Sequence, residues 1–266
     1  MAKLETITSA ANPLLKDVRR AIARGGLTED GWCVAETFHL LEEALRSDCE
    51  VKTVLAAESV RSAAEAHVRG LRGLKLVVAP DALLQSVSGT ESSQGVLALV
   101  KPPAWKLEQL FRGCPLVVVL DGLQDPGNCG AIARTAEAFG ATGVLFLRGS
   151  ASPYNPKTLR ASAGSLFRIP FLHGVDAALA RAALQQNKVE LYAGVPAQGG
   201  VRSLAEVDLT RRCGVIIGNE ARGVGRELRS AALDVAIPTV GVESLNAAVA
   251  AGILLYEARR QRALAS

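Results

Sequence analysis

Five short apolar runs in the second half of this 266-residue chain constrain its fold more than any other feature. They are Leu116 to Leu120, Gly143 to Leu147, Val189 to Ala193, Val215 to Ile217 and Val235 to Ile237. The runs are rich in β-branched residues and nearly continuous, without the alternation of polar and apolar residues that a half-solvated strand shows. A strand that is apolar on both faces must be covered on both faces, which predicts a parallel sheet flanked by helices. Helical periodicity between the runs, over Asn128 to Phe139, Asp176 to Gln186 and Leu245 to Arg262, supplies the cover.

The first hundred residues alternate on a smaller scale. Helices are predicted at Asn12 to Arg24, Thr37 to Arg46 (Thr37 as N-cap) and Val60 to Arg69, with a short one after Pro80. Apolar segments at Trp32 to Ala35, Val51 to Ala56, Leu74 to Ala79 and Gly95 to Val100 read as strands, giving a small α/β sandwich. The run Lys101-Pro-Pro-Ala-Trp105 cannot continue a helix or a central strand. The expected organisation is therefore a domain over 1–100, a linker over 101–114 and a second α/β domain over 115–266.

Composition narrows the class of function. Aromatic residues make up 4% of the chain, so the cores must be built from Ala, Val, Leu and Ile. The net charge of +4 is compatible with a polyanionic partner but does not identify one. The five cysteines, Cys33, Cys49, Cys114, Cys129 and Cys213, have no CxxC spacing, which points to reduced thiols and to no metal. No apolar run approaches the roughly 20 residues that span a bilayer, and the N-terminus has no apolar leader core. A cytoplasmic protein with no membrane partner is expected.

Three strand-to-loop transitions carry polar residues. The first runs from Leu120 through Asp125-Pro-Gly-Asn128 into a helix that holds Arg134. The second is Val215-Ile-Ile-Gly-Asn-Glu-Ala-Arg-Gly223, where Gly218 permits a tight turn or the close approach of a ligand and Glu220 offers a carboxylate. The third passes from Ile237-Pro238 to Ser244-Leu-Asn246 and a small-residue helix. Each has a purely structural reading: Asn128 and Ser244 as helix N-caps, Asn246 as a first-turn residue, Glu220 as a cap to the next helix, Arg134 as a solvated charge. No GxGxxG follows a strand and no GK[ST] is present, so a phosphate-cradling nucleotide site is excluded.

Taken together, D-P-x-N-x-G-x-x-x-R-T-A at 125–136, G-N-E-x-x-G at 218–223, I-P at 237–238 and S-L-N at 244–246 resemble the SpoU/TrmH family of RNA 2′-O-ribose methyltransferases, in the SPOUT superfamily. The segment Asn155-Pro-Lys-Thr-Leu-Arg-Ala-Ser-Ala-Gly-Ser-Leu-Phe-Arg-Ile-Pro170 also looks like the family, and the likeness covers 115–263. The N-terminal half resembles the family's ribosomal-protein-like RNA-binding domain, with one departure. Where the family often has Glu-Gly, this chain has Glu36-Thr37.

The resemblance implies a parallel α/β domain closed by a C-terminal trefoil knot, S-adenosylmethionine as the cofactor, no metal, and a homodimer that completes the active site. It implies that Arg134 is the catalytic arginine, that Asn128 and Asn246 hold Arg134 or the substrate, that Glu220 pairs with Arg134 or orders its loop, and that Ser244 bonds near the cofactor or the target ribose. Gly218, Ile237 and Leu245 would hold the adenosyl group. Because a guanidinium does not give up its proton, Arg134 would act by clamping an RNA phosphate and orienting the 2′-hydroxyl, with a phosphate oxygen accepting the proton. The partner is RNA and not DNA: ribosomal RNA of the large subunit, with transfer RNA as the alternative. Lys16, Arg19, Arg20, Arg160 and Arg168 are candidate phosphate contacts. A non-catalytic RNA-binding protein is the rival reading from another class.

Overall fold

The computed structural model describes residues 3–90, 93–197 and 200–265. In chain order the first part contains β1 (Lys3–Thr6), α1 (Pro13–Arg24), β2 (Cys33–Glu36), α2 (Phe38–Arg46), β3 (Glu50–Ala57), α3 (Arg61–His67), β4 (Lys75–Ala79), α4 (Asp81–Gln85) and β5 (Val96–Lys101). Then follow β6 (Leu116–Asp121), α5 (Pro126–Ala138), β7 (Gly143–Leu147), α6 (Pro156–Ser162), β8 (Phe171–Val175), α7 (Ala177–Gln186) and β9 (Glu190–Val195). The chain ends with β10 (Arg202–Ser203), β11 (Cys213–Gly218), α8 (Arg226–Arg229), β12 (Ala232–Ala236) and α9 (Ala247–Leu264).

Two compact units result. The first comprises 1–104 together with 152–168, and the second 105–151 with 169–266. A single cut in the sequence therefore does not separate them, because a stretch expected within the second domain folds with the first.

In the first unit a mixed five-stranded sheet has the order β1-β4-β3-β5-β2. β1 and β3 run parallel to β4, whereas β5 is antiparallel to both β3 and β2. The inserted α6 lies against β2. It starts as its sequence dictates: Asn155 caps the helix by accepting from Lys157 N at 2.9 Å, and Pro156 occupies a position whose N–H would have no partner anyway. Arg160 on α6 pairs with the buried carboxylate of Glu36, which also accepts from Gly89 N at 2.7 Å and Ser88 Oγ at 3.2 Å. Arg168 pairs with Glu43 on α2.

Next to Glu36, Thr37 has φ 132°, a backbone conformation suited to glycine. Its hydroxyl accepts from Leu40 N at 3.1 Å and caps α2. The departure from Glu-Gly noted in the sequence thus places a β-branched residue where the backbone favours none.

The second unit is a seven-stranded, wholly parallel sheet of order β10-β12-β9-β11-β6-β7-β8. From β6 the chain builds outward through β7 to β8, then returns to add β9, β11 and β12 on the other side. Open parallel sheets bind ligands outside the carboxyl ends of their strands at such a reversal. Val117, Val119, Leu145, Leu191 and Ile216 form its core on one face, so the continuous apolar runs are covered as expected.

The expected linker is only partly a linker. A 3-10 turn spans Leu107–Phe111, and Leu110 is fully buried in the second unit's core. Proline stops the preceding strand, but it does not prevent the chain from packing seven residues after Pro103. Other corrections concern helix starts. α5 begins at Pro126 with Asp125 as its cap, so Asn128 is a first-turn residue and not the N-cap. α9 begins at Ala247 with Asn246 as its cap, which takes that role from Ser244. Among the described residues no helix is long and apolar enough to cross a membrane.

Candidate active site

The carboxyl ends of β6 and β11 are neighbours in register, Asp121 opposite Gly218. Two side-chain bonds stitch the loops that follow them. Asp121 Oδ2 accepts from Gly225 N at 2.7 Å, and Asn219 Nδ2 donates to Gly122 O at 2.9 Å. The second loop is closed on itself: Asn219 N donates to Gly223 O at 3.1 Å, and Gly223 N returns to Asn219 O at 2.8 Å. Asn219 Oδ1 accepts from Ala221 N and Arg222 N at 3.0 and 3.1 Å, an Asx-type turn. A β-carbon on Gly218 would stand 2.3 Å from the backbone of Gly223 and Val224, so only glycine admits this fold-back.

A polar relay joins all three loops. Asn246 Oδ1 caps α9 through Ala248 N and Val249 N at 2.9 and 3.3 Å, leaving its NH2 to donate to Asn128 Oδ1 at 3.1 Å. Asn128 Nδ2 in turn donates to Glu220 Oε1 at 3.2 Å. The direction is set at one end by the cap and at the other by a carboxylate that can only accept. Asn128 is held in place because Asp125 Oδ1 accepts from its backbone N at 2.7 Å. Glu220 therefore faces Asn128 and does not cap a helix. Gly225 precedes α8 as its N-cap and supplies no side-chain bond.

Beside the relay lies a cavity of about 620 Å3, within the range of small-molecule sites. Its lining includes the apolar side chains of Val195, Ile217, Val235, Ile237, Leu245 and Leu254. It also includes the polar and charged side chains of Glu220, Arg222, Arg229, Glu243, Ser244 and Asn246. Gly218 also lines it. Six of the sequence-predicted residues, Gly218, Glu220, Ile237, Ser244, Leu245 and Asn246, thus line one cavity, and Asn128 touches two of them. A cavity lined by both apolar and charged side chains fits a nucleoside joined to an amino acid, the chemistry of S-adenosylmethionine.

Arg134 is placed differently. It is exposed on α5, makes no hydrogen bond or ion pair among the described residues, and does not line the cavity. Six residues beyond Asn128, it lies about 9 Å further along the helix and on another face. The expected pairings of Arg134 with Asn128, Asn246 or Glu220 are not made within the chain.

Sequence reasoning gave no role to Asp121 or Asn219, which hold the loops together. The signal for Asn219 was an Asn four residues ahead of a glycine at the end of a strand. Of the candidate phosphate contacts, Lys16 is exposed and Arg20 bonds Glu29 at 2.8 Å. Arg19 is half-buried, with Nη2 3.5 Å from Ser86 Oγ. The guanidiniums of Arg160 and Arg168 pair with Glu36 and Glu43 within the first unit. The thiol of Cys129, in the first turn of α5, is pushed up to about 12 by burial and stays protonated at neutral pH.

Residues 115–256 match the model of the SpoU rRNA methylase family, and residues 12–98 match an MRM3-like substrate binding domain. The 23S rRNA (guanosine(2553)-2′-O)-methyltransferase RlmP of Bacillus subtilis is 32% identical over 263 residues, covering 96% of this chain and 100% of its own. The 23S rRNA (uridine(2479)-2′-O)-methyltransferase of Streptomyces viridochromogenes is 34% identical, covering 73% of this chain and 70% of its own. Among solved structures, the SpoU methyltransferase AviRb from S. viridochromogenes in complex with AdoMet superposes with a TM-score of 0.83 at 28% identity, over 95% of this chain and 98% of that one. The AdoMet-bound rRNA methyltransferase of Sinorhizobium meliloti does so with a TM-score of 0.81 at 27% identity, over 97% and 98%.

Proposed function

Because this chain belongs to the SpoU rRNA methylase family, we propose that it transfers a methyl group from S-adenosylmethionine to a ribose 2′-hydroxyl of 23S ribosomal RNA in the cytoplasm. The observation that carries the reading is the convergence of Asn128, Glu220 and Asn246 from three loops beside one amphipathic cavity. Relatives named for 23S rRNA, alike over most of the chain, favour ribosomal over transfer RNA.

The cavity takes the cofactor, whose sulfonium supplies an already activated methyl group. Ile237 and Leu245 pack against the adenosyl group, and Gly218, which admits the fold-back of its own loop, lines the same cavity with its backbone. The relay fixes the Glu220 loop against the start of α5 and holds the pocket in shape before substrate arrives, which removes reorganisation from the reactive step. Ser244, in the cavity lining, hydrogen-bonds near the cofactor or the target ribose. Arg134 clamps a phosphate next to the target nucleotide with paired N–H groups and so orients the 2′-hydroxyl. The proton leaves to a phosphate oxygen. The C-terminal knot expected of the family belongs to the same reading.

A second copy of the chain brings Arg134 to the cavity. Supporting this, α9 exposes an apolar stripe of Val249 (52%), Ile253 (36%) and Tyr256 (56%) at helical spacing, and α9 packs on α5, the helix that carries Arg134. Arg134→Ala is the test. It abolishes methyl transfer to 23S RNA while calorimetric binding of S-adenosylhomocysteine persists. Normal turnover in that variant removes Arg134 from the mechanism. Mixing Arg134→Ala with a cavity-blocked variant restores activity if the two residues act across a dimer, and a chain that sediments as a monomer at working concentration rules the dimer out.

A further inference from the structure

We propose that Arg222 grips the carboxylate of the cofactor's amino-acid portion. The inference rests on the reading of the cavity as the cofactor site and assigns one end of it. Four ionic side chains stand on the cavity wall: Glu220, Arg222, Arg229 and Glu243. Two of them are cations. Arg229 is committed to Asp234, donating from Nη2 at 2.6 Å and from Nε at 3.1 Å. Arg222 makes no side-chain hydrogen bond or ion pair among the described residues, although its backbone is fixed: its N–H is bound by Asn219, inside the loop closed by the Asn219 and Gly223 pair.

The cofactor carries a neutral nucleoside at one end and a zwitterionic amino acid at the other. The apolar side chains of the lining suit the nucleoside, and its charged side chains suit the amino acid. A carboxylate taken even partly out of water needs a charged or hydrogen-bonding partner there. A guanidinium on a rigid loop base presents two parallel N–H groups that match a carboxylate's two oxygens. Among the described residues of the lining, Arg222 is the uncommitted cation. It also belongs to the same turn as Gly218 and Glu220, so one loop would contact both the ribosyl and the amino-acid portions.

The test compares two ligands on the full-length protein by calorimetry or competition binding. S-adenosylhomocysteine carries the carboxylate, whereas 5′-methylthioadenosine lacks the amino-acid portion. Arg222→Ala weakens S-adenosylhomocysteine by about tenfold or more, the loss of one charge-assisted contact, and leaves 5′-methylthioadenosine within about twofold. Arg222→Lys falls between wild type and Arg222→Ala, because a point charge replaces the fork. An equal loss of both ligands, or no loss of either, overturns the assignment; in the latter case the side chain serves RNA phosphate instead. Ala250→Leu, which narrows the cavity from α9, separates the two levels. If it leaves both ligands bound as before, the cavity is not the cofactor site. If it removes both while Arg222→Ala shows no preference between ligands, only the role of Arg222 falls.

Discussion

Asn246 donates its side-chain amide to Asn128, 118 positions earlier in the chain, at 3.1 Å. The same side chain caps α9 through its other atom. Two roles thus meet in one residue, and a substitution can separate them.

Asn246→Asp keeps an acceptor at the helix start, where a carboxylate caps well. It removes the amide that donates to Asn128. Methyl transfer is expected to fall by tenfold or more, on the order of one lost hydrogen bond in a preorganised site, with the thermal midpoint near that of wild type. Asn246→Ala loses both roles and is expected to cost about 1 kcal/mol of stability as well. Single-turnover rates and thermal melts of the two variants check this. Wild-type rates in both variants would separate the relay from catalysis.

Arg160→Met leaves the carboxylate of Glu36, which is 4% exposed in its side chain, without its cation. A buried charge stripped of its partner costs about 3 kcal/mol or more. Glu36→Gln in the same chain recovers much of the loss, since an amide tolerates the apolar setting. Urea denaturation followed by Trp32 fluorescence reads the effect in the first unit. A double variant no better than Arg160→Met would show that packing, not charge, is what Arg160 supplies.

Thr37 is a place where stability can be gained. A threonine held at φ 132° bears strain of about 1–3 kcal/mol. Replacing it with glycine relieves that strain, gives up a few tenths of a kcal/mol of capping, and adds chain entropy to the unfolded state. The net expectation for Thr37→Gly is a gain of about 1 kcal/mol, seen as a higher denaturant midpoint at unchanged slope.

His67 gives the first unit a pH dependence. Its imidazolium is favoured first by the carbonyl of Ala63 at 2.7 Å and then by Glu42 at 2.9 Å, so its pKa in the folded protein lies above 6.5. A group raised on folding stabilises fully below its unfolded value and loses that contribution as pH rises through the folded one. His173 is shifted the opposite way by burial and acts on the acid side. The stability difference between wild type and His67→Gln is therefore expected to shrink as the pH is raised from 6 to 8. A difference that stays constant over that range would sink the assignment.

The strands that build the second sheet were legible because each is a β-branched run buried on both faces, as at Val117 to Val119 and Val215 to Ile217. Strands without that pattern escaped notice. β1 is a short edge strand with Leu4 47% exposed, β8 contains His173 and Gly174, and β10 has two residues. Helix starts were misplaced by two or three residues, since Asn128 and Ser244 are good caps by type but Asp125 and Asn246 hold the geometry. At the site, the motifs named the residues that share the cavity wall. Their spacing could not show that Asn128 would bridge Asn246 to Glu220, because that contact depends on parallel register between strands nearly a hundred positions apart. Nor could it show that Arg134, in the same motif as Asn128, points elsewhere.

The path of the chain between β7 and β8 has a genetic corollary. The polypeptide changes units after Ala104, after Ala151 and again after Arg168. A fragment ending near Ala104 would present α2 and β2 without α6, with Glu36 and Glu43 stripped of the arginines that answer them. Transplanting the amino-terminal module onto another catalytic body would thus need two donor segments rather than one, and the seventeen positions from Ser152 to Arg168 must travel with it.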